Sequence, residues 1–417
     1  MPRANKSKSS SVSPRVAENR AQKLADILVV TTRLFNQRGF LATTVDEIAN
    51  ALNMNAASIY HYVSGKEELA YRAYLRSCEM RARQISRAND TRADGLTRIR
   101  SFIANTLTEE HRPAILSEVG ALRPEWAEHI NRVQRNNVIC IQTMVAEGLR
   151  DRSIAPTDAA LTGIGILSII EWMSFWYSGR LPYQREDIIA LFTDIIVHGI
   201  TPADAKPFDV PEVAPAFPQQ PAPDPFDRES MTQLKLERFL KVAMESFNRV
   251  GVHATSIDQC ASELNLTKGA FYYYFRNKEE LLYLCYKRAL KFNWTSANHL
   301  KPRDPVEREI LWRRSLFERH ISEYGPFPTY HHVTFLAPEH HAEISQILQK
   351  QQNTDVAIVQ KAMDDGFYRS ADAFLVEKIR AGLTNWFPSW YDPTGRASPT
   401  EVADNHSRLF LYGLAPR

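Results

Sequence analysis

The chain of 417 residues has only four cysteines, Cys78, Cys140, Cys260 and Cys285. None forms a CxxC pair, which argues against a disulfide framework and a cysteine zinc site and points to reduced thiols in a cytosolic protein. Net charge is only +3, so any binding to nucleic acid must come from local basic patches and not from the bulk. The first twenty residues are polar, basic and rich in serine, and they lack the apolar core of a secretory signal. One long apolar run, Leu161 to Tyr177, holds Glu171 inside it. A charge at mid-bilayer is costly, so the run is expected to be a buried helix and no membrane partner is expected.

Catalytic patterns are missing as well. No nucleophile–base pair, carboxylate dyad or phosphate loop occurs at usable spacing, so no enzyme is expected. Gly163-x-Gly165 has no third glycine, so no dinucleotide fingerprint and no cofactor is expected. His331, His332, His340 and His341 lie near prolines that suggest loop positions, and the first half of the chain has no equivalent cluster; no metal is expected.

What the chain does have is a repeat. Residues 35–69, FNQRGFLATTVDEIANALNMNAASIYHYVSGKEEL, lie over residues 247–281, FNRVGVHATSIDQCASELNLTKGAFYYYFRNKEEL, at a constant offset of 212 with 15 identities. Downstream the offset is 214: Leu122-Arg123-Pro124-Glu125 matches Leu336-Ala337-Pro338-Glu339, Trp172, Trp176 and Tyr177 match Trp386, Trp390 and Tyr391, and Gly199 matches Gly413. The whole architecture is therefore doubled. Apolar residues recur at helical spacing, as in Leu24, Ile27, Leu28, Leu34 and Phe35, and no run alternates like a strand. Between the copies, residues 201–232 are rich in Pro and Ala, which excludes a helix and predicts a semi-extended linker. At ~3.1 Å per residue it could span up to ~90 Å.

Each copy has the same local grammar. A first helix ends near Gly39 or Gly251, suited to a C-terminal cap. Thr44 with Glu47, and Ser256 with Gln259, read as capping boxes. A helix then runs to Leu52 or Leu264, and a tight turn follows, Asn53-Met54-Asn55 or Asn265-Leu266-Thr267. Asn55 and Thr267 are suited to cap a short third helix, roughly Ala56 to Tyr62 and Lys268 to Tyr274. Two helices joined by so short a turn make a helix-turn-helix, whose second helix can enter the major groove.

IANALNMNAASIYHYVSGKEEL and CASELNLTKGAFYYYFRNKEEL closely resemble the TetR family of repressors, strongly in the heads and more loosely in the bodies. The resemblance implies an all-α fold of two TetR-like units, each a three-helix DNA-binding head followed by a helical ligand-binding and dimerisation body. The expected divisions are a disordered basic arm over 1–20, a first head over 21–70, a first body over 71–200, the linker over 201–232, a second head over 233–282 and a second body over 283–417. By resemblance, Thr43, Tyr60, Tyr62 and Lys66, and Thr255, Tyr272, Tyr274 and Lys278, touch phosphates. Ala57, Ser58 and His61, and Lys268, Gly269 and Tyr273, read bases. Ala56 and Ala57 replace the family's usual Lys-Gly, so the second head is expected to be the stronger reader of an imperfect palindrome. Arg3, Lys6, Lys8, Arg15 and Arg20 form an arm that either follows phosphates or stays solvated.

Family members usually bind a small apolar molecule in the body, and the Asp392-Pro393-Thr394-Gly395 tail is similar to that of a branch that often senses acyl-CoA or related hydrophobic acids. Trp172 and Trp176, and Trp386 and Trp390, each share a helix face and are candidates to line an effector site; core or dimer interface is the competing reading. Residues 157–178 with 186–199, and 372–390 with 400–413, are expected to form the dimer bundle. The partners implied are operator DNA, a small hydrophobic effector, and either the other half of the same chain, as an intramolecular pseudo-dimer, or a second chain, as a homodimer with four heads. The location implied is the bacterial cytoplasm.

Overall fold

The computed structural model describes residues 14–90, 92–107, 113–116, 118–177, 181–206, 224, 226–300 and 302–417; the side chains of Pro14, Lys268, Ala270 and residues 292–299 are outside this description, as are Arg3, Lys6 and Lys8. The described residues are helical with no strand. The first unit holds α1 (Pro14–Arg38), α2 (Val45–Ala51), α3 (Ala56–Ile59), α4 (Lys66–Ala88), α5 (Gly95–Leu107), α6 (Pro124–Arg150), α7 (Ala159–Trp176) and α8 (Arg185–His198). The second repeats the order with α9 (Arg228–Val250), α10 (Ile257–Glu263), α11 (Lys268–Tyr274), α12 (Lys278–His299), α13 (Pro305–Ile321), α14 (Pro338–Asp364), α15 (Ala373–Asn385) and α16 (Pro399–Tyr412). Short 3-10 turns lie at Val119–Ala121, Tyr330–Phe335 and Phe387–Ser389.

Local chemistry explains the helix ends. Thr44 and Glu47 form the full capping box. Ser256 accepts from the Gln259 N–H, but the Gln259 amide turns to Glu263 at 3.5 Å, so only half of the second box forms. Gly39 and Gly251 close α1 and α9 with φ of 81° and 87°, donating to the Phe35 and Phe247 carbonyls. The helix-turn-helix turns place Asn53 and Asn265 at φ of 53° and 56°, the left-handed region that asparagine tolerates.

Four expected boundaries fall differently. Pro14 to Arg20 is not arm but the first two turns of α1, and Arg20 donates to the His61 carbonyl at 2.9 Å. The head–body divisions at 70 and 282 fall inside α4 and α12, which run unbroken from head to body. Helix α9 begins at Arg228, because the Asp227 carboxylate caps the Glu229 and Ser230 N–H groups once the prolines end. Residues 207–223 lie outside the described residues.

The units meet through their last helices. α7 and α8 pack against α15 and α16, and the body core is one apolar cluster drawn from both units, including Ile166, Ile169, Ile170, Ile196, Val376, Ile379, Leu383 and Phe410. α7 is apolar around most of its circumference, as a helix packed on several sides must be. It is long and apolar enough to cross a membrane by composition, yet α6, α15 and α16 cover it. Where α8 and α16 end, backbone pairs exchange reciprocally. Ile200 N–H donates to Phe410 C=O at 3.0 Å and Leu414 N–H to Ile196 C=O at 3.0 Å; Thr201 N–H donates to Leu411 C=O at 3.0 Å and Ala415 N–H to Val197 C=O at 2.7 Å. Each bond is the image of its mate at the repeat offset, so the two units are related as the protomers of an isologous dimer.

Candidate nucleic-acid interface and effector site

The heads are built outward from two small cores. Ile27, Phe35, Ile48, Ile59 and Leu69 are buried in the first, and Phe239, Phe247, Ala261, Phe271 and Leu281 in the second. These apolar residues fix α3 and α11 so that the intervening positions face outward. Tyr60 and Tyr272 are 52% and 53% exposed and Tyr273 is 76% exposed. His61, Ala57 and Gly269 are also exposed, while Ser58, Tyr62 and Tyr274 are half-buried. A Cβ at Gly269 would meet nothing closer than Thr267 Oγ1 at 3.7 Å, so the surface there is open.

Several expected contacts fall differently. Thr43 and Thr255 are buried. Their hydroxyls donate to the Gly39 and Gly251 carbonyls at 2.8 and 2.9 Å, so they brace the turn between the first two helices of each head and cannot reach a phosphate. Lys66 is partly turned inward, donating to the Leu41 carbonyl at 2.8 Å. Lys278 donates to the His253 and Thr255 carbonyls at 2.8 and 3.1 Å. Burial draws both ammonium pKa values down, against the opposing pull of Glu118 on Lys66 and of Cys260 on Lys278. Each lysine first ties its head together, with the remaining N–H donors left for solvent or a ligand. α3 is also shorter than expected: Tyr62 N–H bonds back to Ile59 C=O at 2.9 Å, a tightened last turn, although Val63 N–H keeps an α-helical bond to Ile59 C=O at 3.3 Å, as Phe275 N–H does to Phe271 C=O at 3.0 Å. The Lys268 side chain lies outside the described residues.

Each head is latched to a body. Glu118, buried just before the Val119–Ala121 turn, accepts from the Phe40 and Leu41 N–H groups at 2.5 and 3.3 Å. Its carboxyl pKa is raised by burial, against the pull of those two N–H groups and of Lys66. Asn36 donates to the Pro113 carbonyl at 2.8 Å, and Asn248 repeats this to Phe327 at 2.7 Å. The head offset of 212 marks the two Asn residues as equivalent, but nothing in the sequence marked Glu118, whose counterpart at the body offset of 214 is His332.

The four candidate tryptophans sit at the junction between units. Trp172 and Trp176, with Phe175 and Leu181, line a cavity of about 540 Å3 whose other walls come from the second unit, among them Trp312, Phe327, Phe374 and Lys378. Trp386 and Trp390 line the corresponding cavity of the first unit, only about 160 Å3, with Cys78, Arg81, Asn137 and Glu171. Each unit therefore roofs the cavity of the other. The expectation that Trp386 and Trp390 share a helix face fails, because Pro388 cannot donate within a helix and α15 stops at Asn385 before a 3-10 turn; Ser174 stands at the matching place in the unbroken α7.

Asp355 and Glu377 line the larger cavity, and an ionic cluster lies behind them. Arg380 donates to Glu309 and Glu377 at 2.8 Å each and lies 3.8 Å from Asp355. Arg313, fully buried, pairs with Glu309 and donates to Thr384 at 2.7 Å. Burial pushes the Glu377 carboxyl up to about 7 against the pull of Arg380. The first unit has Gly163, Ile166 and Ile141 where the second has Glu377, Arg380 and Asp355. The histidines lie in helical segments and not in loops. His331 and His332 are buried in a 3-10 turn, and His340 opens α14 stacked on Tyr283 with Nδ1 2.9 Å from Glu279. Among the described residues no three His, Cys, Asp or Glu side chains are grouped to hold a metal.

Two exposed helix-turn-helix faces carried by paired helical bodies define a helix-turn-helix transcription regulator. The family model for bacterial regulatory proteins of the tetR family matches residues 27–73 and 239–283, and that for the tetracyclin repressor-like C-terminal domain matches residues 96–200 and 304–414, more than half of the chain by itself. The chain belongs to the TetR family of transcriptional regulators, with two complete units in tandem. The uncharacterized HTH-type transcriptional regulator YhgD of Bacillus subtilis is 24% identical over 184 residues, 42% of this chain and 95% of its own length. The HTH-type transcriptional repressor KstR2 of Mycolicibacterium smegmatis is 26% identical over 202 residues, 46% of this chain and 96% of its own length. The structure of AibR in complex with isovaleryl coenzyme A and operator DNA is 21% identical, with a TM-score of 0.35, and covers 42% of this chain and 97% of that one. Each relative is thus nearly a whole protein set against less than half of this one.

Proposed function

We propose that one chain acts as a complete, ligand-responsive repressor, its two heads reading the two unlike halves of a single imperfect inverted repeat in the bacterial cytoplasm. The observation that carries this reading is the reciprocal bonding of Ile200 with Phe410 and of Leu414 with Ile196, which uses within one chain the surface that a second protomer would need. Covalent linkage makes pairing intramolecular, at effective concentrations of order mM for a suitable linker.

In this reading Tyr60 and Tyr272, with Tyr62, Tyr274, Lys66 and Lys278 at the margins, meet phosphates. Ala57, Ser58 and His61 face the bases of one half-site, and Lys268, Gly269 and Tyr273 those of the other. The longer α11 and the exposure of Tyr273 support the second head as the stronger reader. The larger cavity supports sensing of a small hydrophobic molecule, an acyl-CoA or a related hydrophobic acid.

Mass photometry of the protein on a short duplex from the DNA upstream of its gene, at physiological salt, tests the stoichiometry. One chain per duplex with two protected half-sites is the expected result. Two chains per duplex would establish the four-headed homodimer instead, and absence of any complex would refute DNA recognition at this site.

A further inference from the structure

The two cavities are built from matching positions yet differ more than threefold in volume, about 540 against 160 Å3. The reasons can be read residue by residue. In the first unit Arg81 is buried and extends to Glu171 at 2.8 Å, Gln84 at 2.8 Å and Thr106 at 3.3 Å, so an ion pair with its partners satisfied occupies the space. The position of Glu171 is Asn385 in the second unit, and that of Leu167 is Ala381, so both wall residues are smaller or uncharged there. Ile164 and Val138 are replaced by Lys378 and Gln352.

The larger cavity is also chemically incomplete. Lys378 is buried and donates to Gln352 Oε1 at 2.7 Å. Its ammonium otherwise faces the rings of Phe374 and Trp176, at 4.8 and 6.0 Å. Glu377, next to it in sequence, is already committed to Arg380. Burial draws the Lys378 ammonium down to about 8, against the opposing pull of Glu377. The indole N–H groups of Trp172 and Trp176, which line the same cavity, are buried with no acceptor among the described residues. A buried cation and buried donors without acceptors are costly unless something supplies them. The cavity is of the size usual for a small-molecule site, roughly 300–1,000 Å3.

Resting on the reading of the chain as a ligand-responsive regulator, we propose that it carries one effector site and not two: the second unit's cavity takes a compact apolar molecule bearing a carboxylate, held by Lys378 under the first unit's Trp172 and Trp176, while the Arg81–Glu171 pair permanently fills the equivalent place in the first unit. A single acid bound in one unit is then read by both, because the roof of its site is α7 of the other.

Isothermal titration of the full chain, without DNA, with 2-naphthoate, 2-naphthamide and 2-naphthoyl-coenzyme A tests this. The expected result is one naphthoate per chain, with the amide at least tenfold weaker and the thioester no tighter than the acid. Two substitutions copy the first unit into the second. Lys378→Ile should bring acid and amide to the same affinity, and Ala381→Leu should weaken both by tenfold or more. Trp172→Leu, in the other unit, should also weaken the acid. Two acids per chain, equal binding of acid and amide to the unaltered protein, no binding at millimolar concentration, or a tighter thioester would each overturn the proposal. Duplex binding by the same preparations separates the two readings. Lost acid binding with retained DNA binding removes only the effector site, and acid binding without DNA binding removes only the regulator. If Ala381→Leu fails to fold, Lys378→Ile still decides, since isoleucine already stands at that position in the first unit.

Discussion

Replacing Gly413 by alanine should separate the two units while leaving each head intact. Gly413 ends α16 at φ 71° and ψ −160°, a region held almost only by glycine and costing of order 1–3 kcal/mol for other residues. A Cβ there would lie 2.5 Å from both the Gly199 nitrogen and the Val197 carbonyl oxygen, atoms of the other unit's backbone. The clash must push apart the strip where four reciprocal backbone bonds form, each contributing about 1 kcal/mol net. Together these amount to roughly 5–7 kcal/mol, a weakening of the unit–unit contact by about four to five orders of magnitude at 1.4 kcal/mol per decade. Affinity for a duplex with both half-sites, measured by fluorescence anisotropy, should fall towards that for a single half-site. Single half-site affinity should stay unchanged, which shows that the heads remain folded. Gly199→Ala, its mirror image, should act alike. A variant that melts at the unaltered temperature and keeps its full-site affinity would refute the argument that this backbone strip joins the units.

Acid should destabilise the protein well above the ordinary carboxylate range. Burial holds His320 and His331 down at about 4 and His332 and His406 at about 3, against an ordinary value of about 6.5. Their contribution is fully present above pH ~6.5 and is lost as pH falls towards 4, because only the unfolded chain takes up the protons. Four such groups give a slope of about 5 kcal/mol per pH unit between roughly pH 6 and 4. Thermal melts from pH 7 to 5 should fall steeply, and a flat profile would contradict the burial of these rings. Glu309→Ala should destabilise by about 3–5 kcal/mol, since it leaves Arg313 and Arg380 buried without a shared counter-charge. Chemical denaturation measures this, and a loss under 1 kcal/mol would mean that the pair is hydrated in solution.

The doubling, the helical class and the helix-turn-helix turns were legible because they depend on local rules: an offset, a glycine cap, an asparagine in the left-handed region. The packing that turns Thr43 and Thr255 inward was not, since a threonine before a cap looks the same whether its hydroxyl meets a phosphate or the carbonyl four residues back. Pro388 did carry a signal, because it lies between Trp386 and Trp390 and forbids the shared helix face drawn from their spacing alone. The ionic cluster was readable in part: at offset 214, Glu377 and Arg380 oppose Gly163 and Ile166, a polarity change too large for two copies of one core. The pairing of Arg81 with Glu171 across 90 residues had no local signature.

In a homodimer every inherited change appears on both sides of the dyad, so a substitution that helps one side and harms the other is selected on the sum. Here α7 and α15 face each other across the same contact but are specified by different codons. A lysine, an arginine and two acids could enter one core while the mirror positions stayed apolar, with no second copy burdened by the same buried charges. Fusion also fixes the ratio of the unlike halves at one to one, whatever the level of expression. The covalent pair thereby gains the division of labour of a heterodimer without the mixture of assemblies that two separately made subunits produce.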